Sequence, residues 1–141
     1  MNSLPNGVLF LCVANSARSQ MAEALFRKLA GDCWPVASAG SQPASEVHPL
    51  AVEVLREMGL DTSGLRPKSL SEIDPTEVGT VITLCAEEVC PVFPRDVRRI
   101  HWPLPDPARA AATPEEQLAV FRQVREELRQ RITRWLEEWR T

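Results

Sequence analysis

Cys12 and Arg18 bracket a run of small residues at the end of an apolar stretch, in the segment Val8-Leu9-Phe10-Leu11-Cys12-Val13-Ala14-Asn15-Ser16-Ala17-Arg18-Ser19. The pattern reads as a strand, a tight loop and the start of a helix. In such a loop the backbone N–H groups of Val13, Ala14, Asn15, Ser16 and Ala17 face an anion held at the helix N-terminus. The same field stabilises negative charge on Cys12, as a thiolate nucleophile requires. Arg18 adds a planar, permanently charged fork suited to a tetrahedral oxyanion. Ser19 is placed either to donate its hydroxyl to the Cys12 sulfur or to cap the helix. Asn15 and Ser16 suit the loop itself, since Asn tolerates left-handed backbone. A Cys followed by an Arg at this spacing is common by chance. The weight comes from context: the apolar strand before it, the small-residue loop, and the serine and helix after it.

Two further sets of residues could carry chemistry. Cys85 and Cys90 lie in Cys-Ala-Glu-Glu-Val-Cys-Pro. That spacing allows their α-carbons to approach within the roughly 7 Å a disulfide needs. Metal binding and inert packing are the alternatives, and His48 and His101 do not add tight ligand spacing for a metal. Asp106, in Pro-Asp-Pro-Ala, is a candidate general acid for a departing oxygen, or simply a turn-forming Asp before Pro. Cys33 stands apart from these motifs and reads as packing. His48, before Pro49, reads as the residue that opens a helix, and His101-Trp102 as strand and core.

The elements that position these residues alternate. Val8–Leu11 has the continuous apolar character of a buried parallel strand. Gln20–Ala30 is an amphipathic helix with Met21, Ala22, Leu25, Phe26 and Leu29 on one face. Residues 34–40 read as a second strand, placed at a sheet edge by Pro35. A helix follows from Pro49, its face formed by Leu50, Ala51, Val54, Leu55 and Met58 and its stop by Gly59. A short helical turn is expected near Ser71–Ile73, a third strand over Val78–Leu84 and a weak fourth over Arg98–Trp102. Thr113, Pro114 and Glu116 form the capping box of a long last helix. Its buried face is Leu118, Phe121, Val124, Leu128, Ile132, Trp135 and Trp139. Strands alternating with helices imply right-handed parallel crossovers, with the site beyond the carboxyl ends of the strands, where Cys12 and Cys85 both fall.

Bulk properties narrow the classes. The chain has 141 residues, 44% hydrophobic and 25% charged, with a net charge of −3, which predicts one α/β domain over 1–141 with a single core. The charge balance argues against a nucleic-acid binder. No apolar run approaches the ~20 residues of a membrane span, and Met1–Gly7 lacks the regions of a signal peptide. A cytoplasmic monomer with reduced, catalytic cysteines is therefore expected.

With these residues in view, the sequence resembles the thioredoxin-coupled arsenate reductases, which have the low-molecular-weight tyrosine phosphatase fold. The marks are Cys12-x5-Arg18-Ser19-Gln20-Met21-Ala22-Glu23, Ser38-Ala39-Gly40, Thr83-Leu84-Cys85 with Cys90-Pro91, His101-Trp102 and Asp106-Pro107-Ala108. The resemblance implies a three-layer sandwich around a four-stranded parallel sheet. It implies arsenate as substrate, with phosphate or sulfate also fitting the loop. Cys12 would be the nucleophile, Arg18 and residues 13–17 the oxyanion cradle and Asp106 the proton donor. Cys85 and Cys90 would resolve the adduct in turn, and thioredoxin would be the electron donor, with no tightly bound cofactor and no catalytic metal. Some relatives hold potassium behind the loop through an Asn, a Glu, a Ser and an Asp. Asn15, Glu23 and Ser38 match, but Lys68 takes the Asp position, so its ammonium is expected to replace the ion. The competing reading on the same fold is a low-molecular-weight phosphatase acting on phosphotyrosine or a small phosphoester, for which Cys85 and Cys90 would have no use.

Overall fold

A computed structural model describes residues 6–31, 34–86, 91–109 and 113–140. Strands β1 (Gly7–Cys12), β2 (Val36–Gly40), β3 (Val78–Thr83) and β4 (Arg98–His101) form one sheet in the order β2-β1-β3-β4. Every pairing is parallel. The α-helices are α1 (Arg18–Ala30), α2 (Pro49–Arg56) and α3 (Pro114–Arg140).

Strand β1 is central and buried along its whole length, so both of its faces must be apolar. Val8 and Phe10 meet a core shared with Met21, Leu25 and Phe26 of α1, Val54 and Leu55 of α2, and Phe121, Leu128 and Ile132 of α3. Leu9 and Leu11 face the other way, onto Ala39, Val81 and Phe93. Burial of each such large side chain stabilises the fold by about 1.5–3 kcal/mol. Among the described residues, the layer on that second face consists of short turns and loops. Leu70, Ile73 and Val97 pack against it, from 3-10 turns over Leu70–Glu72 and Pro75–Glu77 and the chain before β4.

Several boundaries differ from the sequence expectation. The first helix starts at Arg18, which puts Arg18 and Ser19 in its first turn. The second strand starts at Val36, and Pro35 precedes it with its carbonyl accepting from Val8 N–H at 3.0 Å. Helix α2 ends at Arg56, with Gly59 in left-handed backbone (φ 77°) just beyond. The 3-10 turns over Pro75–Glu77 and Pro107–Arg109 were not expected, because each is a Pro-initiated turn too short for periodicity to register. Between β3 and β4 the described residues contain no helix. Trp139 is 41% exposed and lies under the Arg98 guanidinium, 4.1 Å from its carbon. No helix among the described residues is long and apolar enough to cross a membrane.

Cys12 closes β1, and Cys85 follows β3 by two residues. Both therefore stand at the carboxyl edge of adjacent strands, where ligands bind in sheets of this type.

Candidate active site

The loop between β1 and α1 is shaped from outside by the segment that follows β2. Gln42, Ala44 and His48 donate backbone N–H groups to the carbonyls of Val13, Ala14 and Ser16, each at 2.9 Å. A peptide plane sets its C=O and the next N–H in opposite directions. Tethering these carbonyls to the outer segment therefore turns the N–H groups of Ala14, Asn15 and Ala17 away from it. Gly40 permits this approach: a Cβ there would strike the Val13 carbonyl oxygen. Asn15 takes the left-handed turn at φ 50°.

The Asn15 side chain holds the loop to what lies behind it. Its Oδ1 accepts from the Lys68 backbone N–H at 2.7 Å and from Gln20 Nε2 at 3.0 Å. Its Nδ2 then donates to Ser19 Oγ at 2.7 Å. Ser19 Oγ is 2.8 Å from Cys12 Sγ. A hydroxyl has one proton. With Asn15 donating to one Ser19 lone pair, the Ser19 proton is available to a Cys12 thiolate, which has none of its own to give. Ser19 is thus within hydrogen-bond reach of Cys12, as the sequence reading expected. The N-cap position of α1 belongs to Ala17, which makes no side-chain cap bond. Cys12 is a free thiol and only 2% exposed.

Arg18 is buried and joins three parts of the site. Its Nη1 donates to the carbonyls of Leu104, at 2.9 Å, and Leu84, at 3.3 Å. Its Nη2 lies 3.9 Å from Asp106 Oδ2. The guanidinium is thereby aimed from the helix start across the end of β3. Asp106 makes the turn its place before Pro107 predicts and also stands beside Arg18. Its Oδ1 accepts from Ala108 N–H at 3.0 Å, the turn-forming bond, while Oδ2 lies near Arg18 and, at 3.7 Å, Arg109 Nε. His48 flanks the loop on the other side. Its Nδ1 accepts from Leu50 N–H at 3.1 Å, opening α2, and its ring stacks on Phe121 at 4.7 Å. Burial holds this imidazole below its usual range, partly offset by the Asp106 and Glu46 carboxylates. A neutral ring is what the acceptor role of Nδ1 needs.

Behind the loop, Lys68 Nζ lies 3.3 Å from Glu23 Oε1 and 3.0 Å from the Arg66 carbonyl. Ser38 Oγ donates to the same Glu23 oxygen at 2.7 Å. The ammonium thus occupies the setting of buried carboxylate, hydroxyl and carbonyl that would suit a monovalent cation. Among the described residues no cluster of three or more His, Cys, Asp or Glu side chains could hold a metal ion.

Cys85 is 2% exposed and disulfide-bonded. Cys90 and Cys33 lie outside the described residues. The structure therefore brings together Cys12, residues 13–17, Arg18, Ser19 and Asp106, with Cys85 one residue beyond a carbonyl that Arg18 holds. Sequence reading missed Gln20 and the backbone donors of Gln42, Ala44 and His48. Backbone groups leave no trace in residue types. Gln20 was visible only as part of the motif after Arg18.

Over residues 7–141 the chain matches the family described as low molecular weight phosphotyrosine protein phosphatase. It belongs to that family. Among curated relatives, an arsenate reductase of Halalkalibacterium halodurans is 43% identical over 132 residues, spanning 92% of this chain and 94% of its own. The crystal structure of an arsenate reductase from Archaeoglobus fulgidus superposes with a TM-score of 0.79 at 31% identity, covering 92% of this chain and 98% of that one. A thioredoxin-dependent arsenate reductase from Corynebacterium glutamicum superposes at 0.74 with 35% identity, covering 98% of this chain and 63% of that one. Within the phosphatase family, then, this chain stands with the arsenate reductases.

Proposed function

We propose that this protein reduces arsenate to arsenite by a three-cysteine relay regenerated by thioredoxin. The observation that carries the reading is the pairing of two sulfur states at one sheet edge. Cys12 is a free thiol with a hydroxyl within hydrogen-bond reach, and Cys85 is a disulfide-bonded sulfur. Hydrolysis of a phosphoester needs the first and has no use for the second.

In this reading the loop N–H groups and Arg18 hold the arsenate oxygens. The Cys12 thiolate attacks arsenic, and Asp106 protonates the departing oxygen, which leaves as water. Cys85 then attacks Cys12 Sγ. The electron pair of the S–As bond stays on arsenic, arsenite leaves, and a Cys12–Cys85 disulfide remains. Cys90 attacks Cys85, freeing Cys12 as thiolate and leaving Cys85–Cys90 for thioredoxin to reduce. Support for thioredoxin comes from the Corynebacterium relative described as thioredoxin-dependent. The test is a single turnover without added reductant. Fully reduced protein should yield about one arsenite per chain with the loss of two thiols. Arsenite release without thiol loss, or no release at all, would overturn the reading.

Cys12, Arg18 and Asp106 serve phosphoester cleavage by the same geometry, because phosphate and arsenate share shape and charge. A weak aryl phosphatase activity that depends on Cys12 and not on Cys85 is therefore expected.

A further inference from the structure

An anion entering the loop meets other charges before it meets Arg18, which is buried. Two of them are carboxylates. Glu46 is exposed, and its backbone carbonyl accepts from Ser16 Oγ at 3.3 Å, which sets it beside the loop. Asp106 is partly exposed and stands next to Arg18. His48, which also flanks the loop, adds no compensating charge, since burial holds its imidazole toward the neutral form. The chain as a whole carries a net charge of −3. A doubly charged oxyanion therefore approaches a surface that repels it, although the loop itself attracts it.

Arg109 supplies an exposed positive charge at this place. It closes the 3-10 turn that begins at Pro107, and its N–H donates to the Asp106 carbonyl at 3.1 Å. Gln117 Nε2 donates to the Ala108 carbonyl at 3.3 Å and so ties the turn to α3. The turn that places Asp106 thus also places Arg109. Arg109 Nε lies 3.7 Å from Asp106 Oδ2, too long for a hydrogen bond, and its side chain is 86% exposed. Asp106 Oδ2 is thereby shared by two guanidinium groups, buried Arg18 and exposed Arg109. Sharing one oxygen keeps Arg109 Nε within one physiological Debye length (about 8 Å) of Arg18 Nη2. Its charge is therefore felt where the oxyanion binds.

We propose that Arg109 is the anion-recruiting residue of this site, drawing a doubly charged tetrahedral oxyanion past the Glu46 and Asp106 carboxylates to Arg18 and the loop. An exposed charge acts over distance and is screened by salt. A buried hydrogen bond to the bound anion is screened much less. The exposure of Arg109 and its long contact with Asp106 fit the first kind of action. Arg18 holds the anion, and Arg109 raises its concentration at the mouth. The inference deepens the function proposed above and rests on its oxyanion loop, not on its thiol relay.

The test is calorimetric titration of reduced, full-length protein with inorganic phosphate, at a mildly alkaline pH where the anion is doubly charged. It is run in about 10 mM and about 1 M sodium chloride. Arg109→Gln should bind phosphate about fivefold more weakly than wild type at low salt and within about 1.5-fold of it at high salt. Arg109→Glu should lose about 25-fold at low salt and converge in the same way. Arg109→Lys, which keeps the charge, should match wild type at both. Equal affinity of Arg109→Gln and wild type at low salt would overturn the proposal. So would a deficit of the same size at both salt concentrations, or a loss in Arg109→Lys as large as in Arg109→Gln. Wild type that binds no phosphate would overturn the loop reading and the proposal together. Wild type that binds phosphate and does not reduce arsenate would count against the relay alone, with the Arg109 comparison still decided.

Discussion

The loop that follows β1 and the segment that follows β3 carry the two sulfurs, and they are built differently. Cys12, Asn15, Ala17, Arg18 and Ser19 are all buried, and the loop is held by tethers from residues 42–48, Gln20 and Lys68. Beyond Cys85, the described chain from Pro91 to Val97 has no strand or helix, and Phe93 is its buried anchor. The first region has the fixed dipoles that oxyanion stabilisation needs, paid for in folding rather than at the moment of reaction. In its described part the second is held by the Phe93 side chain and by Arg99 on the carbonyls of Phe93 and Arg95. The loop after β1 is tied down by backbone and side-chain hydrogen bonds, the described chain after β3 by one buried ring and one guanidinium.

The contrast can be broken from either side. Cys12→Ser should abolish arsenate reduction and aryl phosphatase activity together, because both begin on that sulfur. Cys90→Ser should leave the first turnover intact and then stop with Cys12–Cys85 formed, seen as a burst of about one arsenite per chain. Continued turnover with thioredoxin in that variant would remove Cys90 from the relay. Gly40→Ala should damage the preorganised side. Its Cβ meets the backbone carbonyls of Val13 and Cys12, so denaturant unfolding should show a loss of about 1–3 kcal/mol, with weaker phosphate binding.

Ser19→Ala should cost less. It removes the hydroxyl available to Cys12 Sγ, and alkylation of Cys12 by iodoacetamide at neutral pH should slow about tenfold, the size expected for a charge-assisted hydrogen bond. Fold and melting temperature should change little. The smallest effect concerns Lys68. With its ammonium on Glu23 and the Arg66 carbonyl, exchanging sodium for potassium at equal ionic strength should leave melting temperature and turnover unchanged. A clear rise with potassium would mean that the ion competes for that place.

Much of this was legible in the sequence. The apolar run before Cys12, the small loop and the helix after it reflect local rules of burial and period. So do the capping box at Thr113 and the proline opening α2. The strand ends that gather Cys12 and Cys85 followed from the order of elements. What was hidden depends on tertiary contact. The outward pull on the loop carbonyls comes from backbone N–H groups some thirty residues away in the chain, which any residue type would supply. The Asn15 bond that anchors Ser19 beside Cys12 depends on the turn that brings the Asn15 side chain back over the helix start. The Arg18 hold on Leu84 and Leu104 joins segments whose approach only the folded sheet creates.

The most direct measurement is arsenate-dependent NADPH oxidation with thioredoxin and thioredoxin reductase, comparing wild type with Cys85→Ser. Steady turnover by wild type that is lost in Cys85→Ser, with Cys12-dependent aryl phosphatase activity retained, is the predicted result. Equal turnover by both proteins, or none by wild type while aryl phosphate hydrolysis proceeds in both, would contradict the relay.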